Sequence, residues 1–329
     1  MAKHIYLVAK AVTPVPYGEY KNSGKPLQAS TNLLQFYGPV ENQGQFGACT
    51  AFASLQWRGA LRRQAGLSWP EPAYFANYYE ERKMIGTINQ DSGASMPIAV
   101  EVLEQYGAMP AGDDPYTPAD FALNPLNAWD VGLKLSPSKV LAISDETKLT
   151  DTLDALSQGH PVLFGMVVFA ELESEQVAQT GVLPMPANPN YSLGGHAVNA
   201  VDFDDVNKRI LVRNQWGSGW GIKSPAQQQG CFWMPYEYFT QYAYDAFVGL
   251  PDDQPKLLLW HVQVGAFSIQ ANADKLAAEL VAKGFAIYQV EIGGLYKVQV
   301  GAFSDKANAD GELAKVKAAG FADAFIVQY

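Results

Sequence analysis

A repeat near the carboxyl end of this 329-residue chain constrains its fold more than any other feature of the sequence. The run HVQVGAFS, which begins at His261, recurs as KVQVGAFS from Lys297, 36 residues later, and each copy continues to a Gly-Phe pair. A repeat at one fixed offset is typical of a duplicated structural unit. We therefore expect residues 257–329 to form a small domain built from two similar halves.

The two halves share one order of predicted elements. Each begins with alternating apolar residues, the pattern of a half-buried strand, and continues with a helical segment such as ANADKLAAELVAKG. Gly284 and Gly320 are suited to end these helices, and a second strand-like run follows each of them. The pattern predicts a βαββαβ domain with both helices on one face of its sheet. The Pro-rich polar segment 251–256 predicts a linker to a larger domain, residues 1–250.

The duplicated VQVGAF motif, with its helix and Gly-Phe pair, resembles the SPOR domain, a bacterial module that binds peptidoglycan. The resemblance implies glycan strands stripped of stem peptides as the partner. Amide hydrogen bonds and ring stacking suit a neutral glycan, so the candidate glycan-binding residues are Gln263, Gln299, Tyr288 and Tyr296. An alternative stays open, in which the two glutamines are only solvated residues of the sheet.

The composition sets limits for the whole chain. Hydrophobic residues make up 48% and charged residues 17%, which predicts a folded chain rather than a disordered one. Lys and Arg number 23 against 33 acidic residues, for a net charge of −10, so nucleic acid is not an expected partner. We find neither an apolar stretch near the roughly 18 residues of a membrane span nor the pattern of a signal peptide.

The two cysteines, Cys49 and Cys231, are too few for a disulfide framework. Cys49 follows a glycine-rich loop and opens a helical pattern that should stop at Gly66. A helix N-terminus favours the thiolate, the form of cysteine that attacks a carbonyl carbon. Cys49 is therefore the candidate nucleophile, with a buried structural thiol as the alternative. Cys231, in the strand-like run GCFWM, is interpreted as structural.

A cysteine nucleophile needs a base, and His196 in the run LGGHAV is the candidate. It follows Cys49 by 147 residues, within the spacing of roughly 130–150 seen in papain-type enzymes. In ILVRNQWGSGWG, the amide of Asn214 can orient the imidazole while Trp216 keeps water from that contact. The alternative is that Asn214 is a turn residue and Trp216 a core residue.

Together these segments resemble the papain-like C1 cysteine peptidases of the bacterial type over about residues 25–250. QGQFGACTAFA, GGHAV and NQWGSGWG stand in the family's order. The resemblance implies an α+β fold of two lobes, one helical and one an antiparallel barrel-like sheet. It also implies that Cys49 is the nucleophile, His196 the base and acid, and Asn214 the orienting residue. Gln43 and the Cys49 backbone N–H would then donate to the oxyanion.

The segment DSGAS, residues 91–95, matches the family's glycine-containing wall that pairs with the substrate backbone. Met96 would line a side-chain pocket of that wall. The candidate substrate-binding residues are Gly93, Ala94, Met96, Gly195 and Trp216.

The sequence departs from the family at three positions. Phe46 and Asp91 stand where secreted animal and plant members carry a disulfide pair, and Thr50 replaces the usual Trp after the nucleophile. The 48 residues before Cys49 are too few for the inhibitory propeptide. We therefore expect control from residues 1–25, acting as a short plug, or from the small domain.

The resulting expectation is a thiol-dependent endopeptidase with a polypeptide substrate, held at the bacterial or phage cell envelope by its small domain. Two alternatives remain, a hydrolase of peptidoglycan stem peptides and a non-enzymatic glycan-binding scaffold. No metal or cofactor is expected, because the sequence has neither an HExxH nor a CxxC motif.

Overall fold

The computed structural model divides into two compact units, residues 1–253 and 254–329. It describes residues 17–28, 33–111, 117–120, 122–124, 134–136, 139–252, 260–292, 294–303 and 305–328. Each unit has an apolar core of its own. Of the predicted linker, residues 251 and 252 fall within the described part.

Three helices form the first part of the large unit and pack against one another: α1 (Cys49–Gln64), α2 (Tyr74–Met84) and α3 (Met96–Gln105). Helix α1 begins at Cys49 and ends just before Gly66, as the sequence predicts. It is buried along most of its length, and its largest buried side chain is Trp57. No helix in the described part of the chain is both long and apolar enough to span a membrane.

A seven-stranded sheet forms the second part of the large unit. Its strands are β1 (Gly18–Glu19), β2 (Val140–Ala142), β3 (Val162–Val168), β4 (Gly194–Asp204), β5 (Arg209–Arg213), β6 (Cys231–Pro235) and β7 (Ala243–Gly249). Their order is β1-β2-β7-β3-β4-β5-β6, antiparallel except for the pair β1 and β2. The connections contain α4 (Lys148–Ser157), α5 (Glu175–Thr180) and α6 (Tyr236–Tyr242). This arrangement confirms the predicted α+β class.

The central strands are apolar on both faces of the sheet. Successive residues of a strand point to opposite faces, so Leu163 and Ala197 pack with α1 while Phe164 and Val198 pack with α4 and α6. This double burial explains why β3 is a continuous apolar run, VLFGMVV, rather than an alternating one. The sheet therefore offers α1 a dry surface to pack on.

The described part of the amino-terminal arm packs on the large unit. Strand β1 pairs with β2, and the Tyr20 hydroxyl donates to Asp154 of α4 at 2.8 Å. The backbone N–H of Ser23 donates to the same carboxylate at 2.7 Å. Residues 17–25 are thus tied to β2 and α4 of the large unit, and their expected role in a plug stays a prediction. Residues 1–16 of that prediction lie outside the described residues.

The small unit has the predicted βαββαβ order. Its elements are β8 (Trp260–Phe267), α7 (Gln270–Ala282), β9 (Ile287–Ile292), β10 (Leu295–Phe303), α8 (Lys306–Ala318) and β11 (Phe325–Gln328). The antiparallel sheet has the order β11-β8-β10-β9, and both helices pack on the face that carries Val262, Val298 and Val300. Each helix is followed by a glycine with positive φ, +86° at Gly284 and +106° at Gly320, a conformation that side chains disfavour.

An ion pair anchors the carboxyl end of the large unit to α1. The guanidinium of Arg58, whose side chain is 1% exposed, donates to both carboxylate oxygens of Asp252, at 2.6 and 2.9 Å. Arg62 lies 3.3 Å from the same carboxylate. Because the guanidinium is buried, removing the carboxylate takes away the opposite charge that offsets the cost of burying this cation.

We predict that Asp252→Ala lowers the free energy of unfolding of the large unit by about 2–4 kcal/mol. The double variant Arg58→Met/Asp252→Ala should regain most of that loss, because it removes the buried charge as well. Urea unfolding followed by tryptophan fluorescence measures both. Asp205→Ala, which breaks an exposed pair with Lys208, is the control, with an expected loss below about 0.5 kcal/mol. Equal losses for the two single variants would contradict the prediction.

Candidate active site

Cys49 is the first residue of α1 and is fully buried. Burial raises the pKa of its thiol to about 12, although backbone hydrogen bonds at Ala197, Thr50 and Cys49 itself lower it. The negative charge of a thiolate is costly to place in so dry a position. Burial therefore outweighs the backbone hydrogen bonds at the helix N-terminus, the position that the sequence analysis expected to favour the thiolate. A thiolate at this position needs a base to take its proton.

His196, the third residue of β4, is also fully buried. Its Nε2 lies 2.9 Å from Oδ1 of Asn214, which directly follows β5. The same Oδ1 accepts the backbone N–H of Gln215 at 2.9 Å. Because this oxygen acts as an acceptor for both groups, Nε2 carries the hydrogen, and Nδ1 is the basic nitrogen of the neutral ring.

Two contacts hold the start of β4 against the first turns of α1, and a third joins β4 to the segment that follows β5. The backbone of Ala197, directly after His196, hydrogen-bonds to the sulfur of Cys49. The side-chain amide of Asn199 donates to the carbonyl of Ala53 at 3.0 Å, and that of Gln215 donates to the carbonyl of Ala197 at 2.8 Å. The fold thus brings together two predicted site residues that are 147 positions apart.

Trp216 lies beside the imidazole of His196, with ring centroids 5.0 Å apart and an angle of 31° between the planes. Trp220 packs edge-on against Trp216, with ring centroids 4.9 Å apart, and Phe232 packs edge-on against Trp220, with centroids 5.7 Å apart. This aromatic group limits the access of water to the histidine and asparagine, which strengthens their hydrogen bond.

Gln43 is buried and joins the segment that contains Asn214. Its backbone N–H donates to the carbonyl of Gln215 at 3.0 Å, and the preceding Asn42 forms a bridge with Trp216. The side-chain Nε2 donates to the carbonyl of Phe46 at 2.8 Å. That contact uses one of the two N–H groups of the amide and leaves the other for a further acceptor.

The predicted substrate wall is only partly available to a substrate. The backbone N–H of Gly93, whose φ is +66°, donates to the Tyr78 hydroxyl at 3.0 Å, and its carbonyl accepts from Ser92. Ala94 is buried, and Met96 opens α3 inside the apolar cluster that includes Cys49. Gly195 lies next to His196 in β4. The Gly93 N–H is thus used within the protein, whereas its carbonyl oxygen can accept a second hydrogen bond, so the pairing of Gly93 with a substrate stays a prediction.

Glu81 of α2 is a buried acid near the nucleophile that sequence reasoning missed. It accepts a hydrogen bond from the Thr50 hydroxyl, and its other oxygen, Oε1, is buried with no hydrogen-bond partner. Burial raises the pKa of Glu81 to about 8, and its charge contributes to raising the pKa of Cys49. The one signal in the sequence for a polar partner at this position was Thr50, a small hydroxyl residue where the family carries a large Trp.

On the face of the small-unit sheet opposite its helices, Gln263 and Gln299 lie directly across from each other in β8 and β10. Both are buried, so the alternative of solvated sheet residues is wrong. Neither polar atom of the Gln299 side chain has a hydrogen-bond partner in the protein. Tyr288 of β9 is opposite Gln299 and 54% exposed, so part of its ring is accessible to a ligand.

Tyr296 needs a correction, since it packs with the apolar core on the helix-covered face. Two residues that the sequence analysis missed lie on the sheet face that carries Gln263 and Gln299, which we call the glutamine face. The rings of His261 and Tyr288 are stacked, with their centroids 6.3 Å apart. The exposed Phe325 lies opposite Gln263 in the neighbouring strand. His261 was recoverable from strand alternation, because it lies two positions before Gln263.

In the described part of the chain, no group of three or more His, Cys, Asp or Glu residues is placed to hold a metal ion. The second thiol, Cys231, is buried in the core of the sheet, where burial raises its pKa to about 11.

Known proteins resemble the large unit in structure. Xylellain, a cysteine protease from Xylella fastidiosa, is 26% identical with a TM-score of 0.61, over 76% of this chain and 97% of that one. The large unit has the papain-like fold. Residues 259–328 match the SPOR domain family model, which confirms the predicted identity of the small unit.

Curated relatives of the papain-like unit are peptidases or peptidase-like proteins. A peptidase C1-like protein of Acanthamoeba polyphaga mimivirus is 34% identical over 206 residues, 60% of this chain and 64% of the relative. Cathepsin K of Mus musculus is 28% identical over 193 residues, 57% and 55% of the two chains. The chain thus spans less than two thirds of the length of either relative.

We predict that Glu81→Gln flattens the dependence of stability on pH. A carboxyl whose pKa is raised in the folded state favours folding fully below its unfolded pKa of about 4.5 and loses that contribution as pH rises through about 8. Wild type should therefore lose stability relative to Glu81→Gln between these pH values, on the order of 2–4 kcal/mol. Thermal unfolding across that range measures the difference. The exposed Glu237→Gln is the control, and parallel curves for wild type and Glu81→Gln would contradict the prediction.

Proposed function

We propose that the papain-like unit is a thiol-dependent endopeptidase and that the SPOR domain directs it to peptidoglycan. The observation that carries the proposal is the 2.9 Å contact between His196 and Asn214, next to a cysteine at the start of a buried helix. This contact leaves the basic nitrogen of His196 available to a thiol. The similarity to a cysteine protease over 97% of that protein supports the same chemistry.

In the proposed mechanism, Nδ1 of His196 takes the proton of the Cys49 thiol, and the thiolate attacks the carbonyl carbon of the peptide. The carbonyl electron pair moves to oxygen, which accepts hydrogen bonds from Gln43 and from the Cys49 backbone N–H. The intermediate collapses to a thioester as the imidazolium gives its proton to the leaving amine. Water then attacks the thioester with His196 as base, which releases the acid and restores the thiol.

The burial of the site explains why the imidazole is needed. A lone thiolate at Cys49 is disfavoured, as its raised pKa indicates. An imidazolium beside it forms an ion pair whose mutual attraction is strong in a dry site. Asn214 keeps the ring in the required tautomer, and Trp216 keeps water from that contact.

The side chains on the glutamine face of the SPOR domain are suited to binding a polar, uncharged ligand. Gln299 is fully buried yet has hydrogen-bonding capacity that no protein group uses, and the adjacent Tyr288 offers an exposed ring at the surface. Sugars combine hydroxyl groups with an apolar ring face, so they match both features. Peptidoglycan stem peptides are a second candidate substrate, because a SPOR domain would bring the enzyme close to them.

We predict that Cys49→Ala abolishes cleavage of casein and that Asn214→Ala lowers kcat by about 10- to 100-fold. The asparagine variant keeps the thiol but loses control of the imidazole ring. Cys231→Ser is the matched control and should cleave at the wild-type rate, because this thiol lies in the core of the sheet. Peptide release measured by mass spectrometry tests all three. Casein cleavage that survives in Cys49→Ala would exclude the mechanism.

We predict that Tyr288→Ala and Gln299→Leu each weaken binding of the full chain to purified sacculi at least fivefold. The first removes the stacking surface, and the second removes the amide. Pelleting assays in the Cys49→Ala background avoid digestion during the measurement. Tyr191→Ala changes an exposed tyrosine of the papain-like unit and is the control. Unchanged pelleting of both SPOR variants would show that this face does not bind peptidoglycan.

A further inference from the structure

Asp91 connects the loop before the nucleophile to α2. Its two carboxylate oxygens lie 3.0 and 3.2 Å from the backbone nitrogen of Gly47, which donates to them from two positions before Cys49. The hydroxyl of Tyr78, in the middle of α2, donates to the same carboxylate at 2.5 Å. A carboxylate acceptor makes such bonds stronger than neutral ones.

Tyr78 extends this connection to the substrate wall. Its hydroxyl also accepts the N–H of Gly93 at 3.0 Å, and its ring is fully buried beneath the guanidinium of Arg82, 4.2 Å from the ring centroid. Burial and the adjacent Asp91 raise the pKa of Tyr78 well above its usual value, so the hydroxyl keeps its proton. The direction of each hydrogen bond is therefore set, from Gly93 to Tyr78 to Asp91, with Gly47 as the second donor.

The composition of the loop before Cys49 explains why it needs a restraint from elsewhere in the fold. It contains Gly44 and Gly47, and glycine loses more conformational freedom on ordering than any other residue. Phe46 and Asp91 are also the positions at which related secreted enzymes are expected to carry a disulfide. In this chain a carboxylate hydrogen-bonded to Gly47 joins the same two segments, and no oxidation is required.

We propose that Asp91 is a positioning residue which, through Gly47 and Tyr78, holds the nucleophile loop in register with the 91–94 segment and so aligns Cys49 with His196. The inference rests on the proposed function, because it assigns Asp91 a role in that reaction. Tyr78 acts in the same network on the side of the substrate wall. Loss of Asp91 affects both segments, whereas loss of the Tyr78 hydroxyl mainly affects the segment that contains Gly93.

The test compares Asp91→Asn, Asp91→Ala and Tyr78→Phe in a Cys231→Ser background, where Cys49 is the remaining thiol. Asp154→Ala is the matched control, because Asp154 also accepts from a tyrosine hydroxyl and a backbone N–H but lies on α4. Two quantities are measured on the full chain. The first is the ratio of the iodoacetamide alkylation rates of Cys49 at pH 6 and pH 9, and the second is kcat and KM for a fluorogenic peptide.

A misaligned imidazole leaves an ordinary thiol, which reacts poorly at low pH. We expect Asp91→Ala to lower the alkylation ratio at least fivefold and kcat at least tenfold, with a smaller loss in Asp91→Asn, which keeps one acceptor oxygen. Tyr78→Phe should raise KM more than it lowers kcat. Asp154→Ala should keep the ratio and kcat within twofold of wild type.

An alkylation ratio and kcat within twofold of wild type in a folded Asp91→Ala would overturn the inference and leave Asp91 a purely structural role. Failure of the proposed function gives a different result. A wild-type chain that cleaves no peptide but shows high alkylation at pH 6 contradicts the peptidase proposal, and the ratio in Asp91→Ala still decides the role of Asp91. If Cys49 of the wild type reacts as an ordinary thiol, both proposals are wrong.

Discussion

The packing of α1 between the central sheet and the other two helices is the constraint on which the rest of the large unit depends. The helix lies on strands β3, β4 and β7, whose apolar residues reach both faces of the sheet. Its first turn therefore sits at the junction of helices and sheet, where Ala197 and Asn199 of β4 bind it. A nucleophile at the start of this helix can meet a histidine from β4 without any flexible segment between them.

The same burial sets the electrostatics of the site. In so dry an environment an isolated charge is costly, so the pKa of both Cys49 and Glu81 is raised, and Arg58 is paired with Asp252. The helix N-terminus and nearby backbone N–H groups oppose burial at Cys49 but do not overcome it. Proton transfer to His196 is thus an essential part of the proposed reaction, because the ion pair is favourable where the single thiolate is not.

The small unit shows how a duplicated sequence forms one domain. The two strands of each βαβ half do not pair with each other; instead the first strands of both halves, β8 and β10, pair at the centre of one sheet. This pairing brings Gln263 and Gln299, equivalent residues of the two copies, directly opposite each other. The proposed glycan-binding face thus arises from the near-symmetry of the repeat, whose valines form the core on the other face.

The sequence by itself determined the two units, the order of elements in the SPOR domain, and the identity of Cys49, His196, Asn214 and Gln43 as site candidates, because these depend on local patterns and motif spacing. It could not determine which polar groups burial would isolate or pair. The pKa of Cys49, the role of Glu81 and the partners of Asp91 and Gly93 depend on contacts between α1, α2 and β4, which are distant in the chain. Tyr296, by contrast, could have been placed from the sequence, because it lies two positions before Val298 and therefore on the same face of β10, where it packs with the core. Tertiary structure decided the pKa values and the hydrogen-bond partners, because desolvation and hydrogen-bond geometry are set by the surrounding packed side chains.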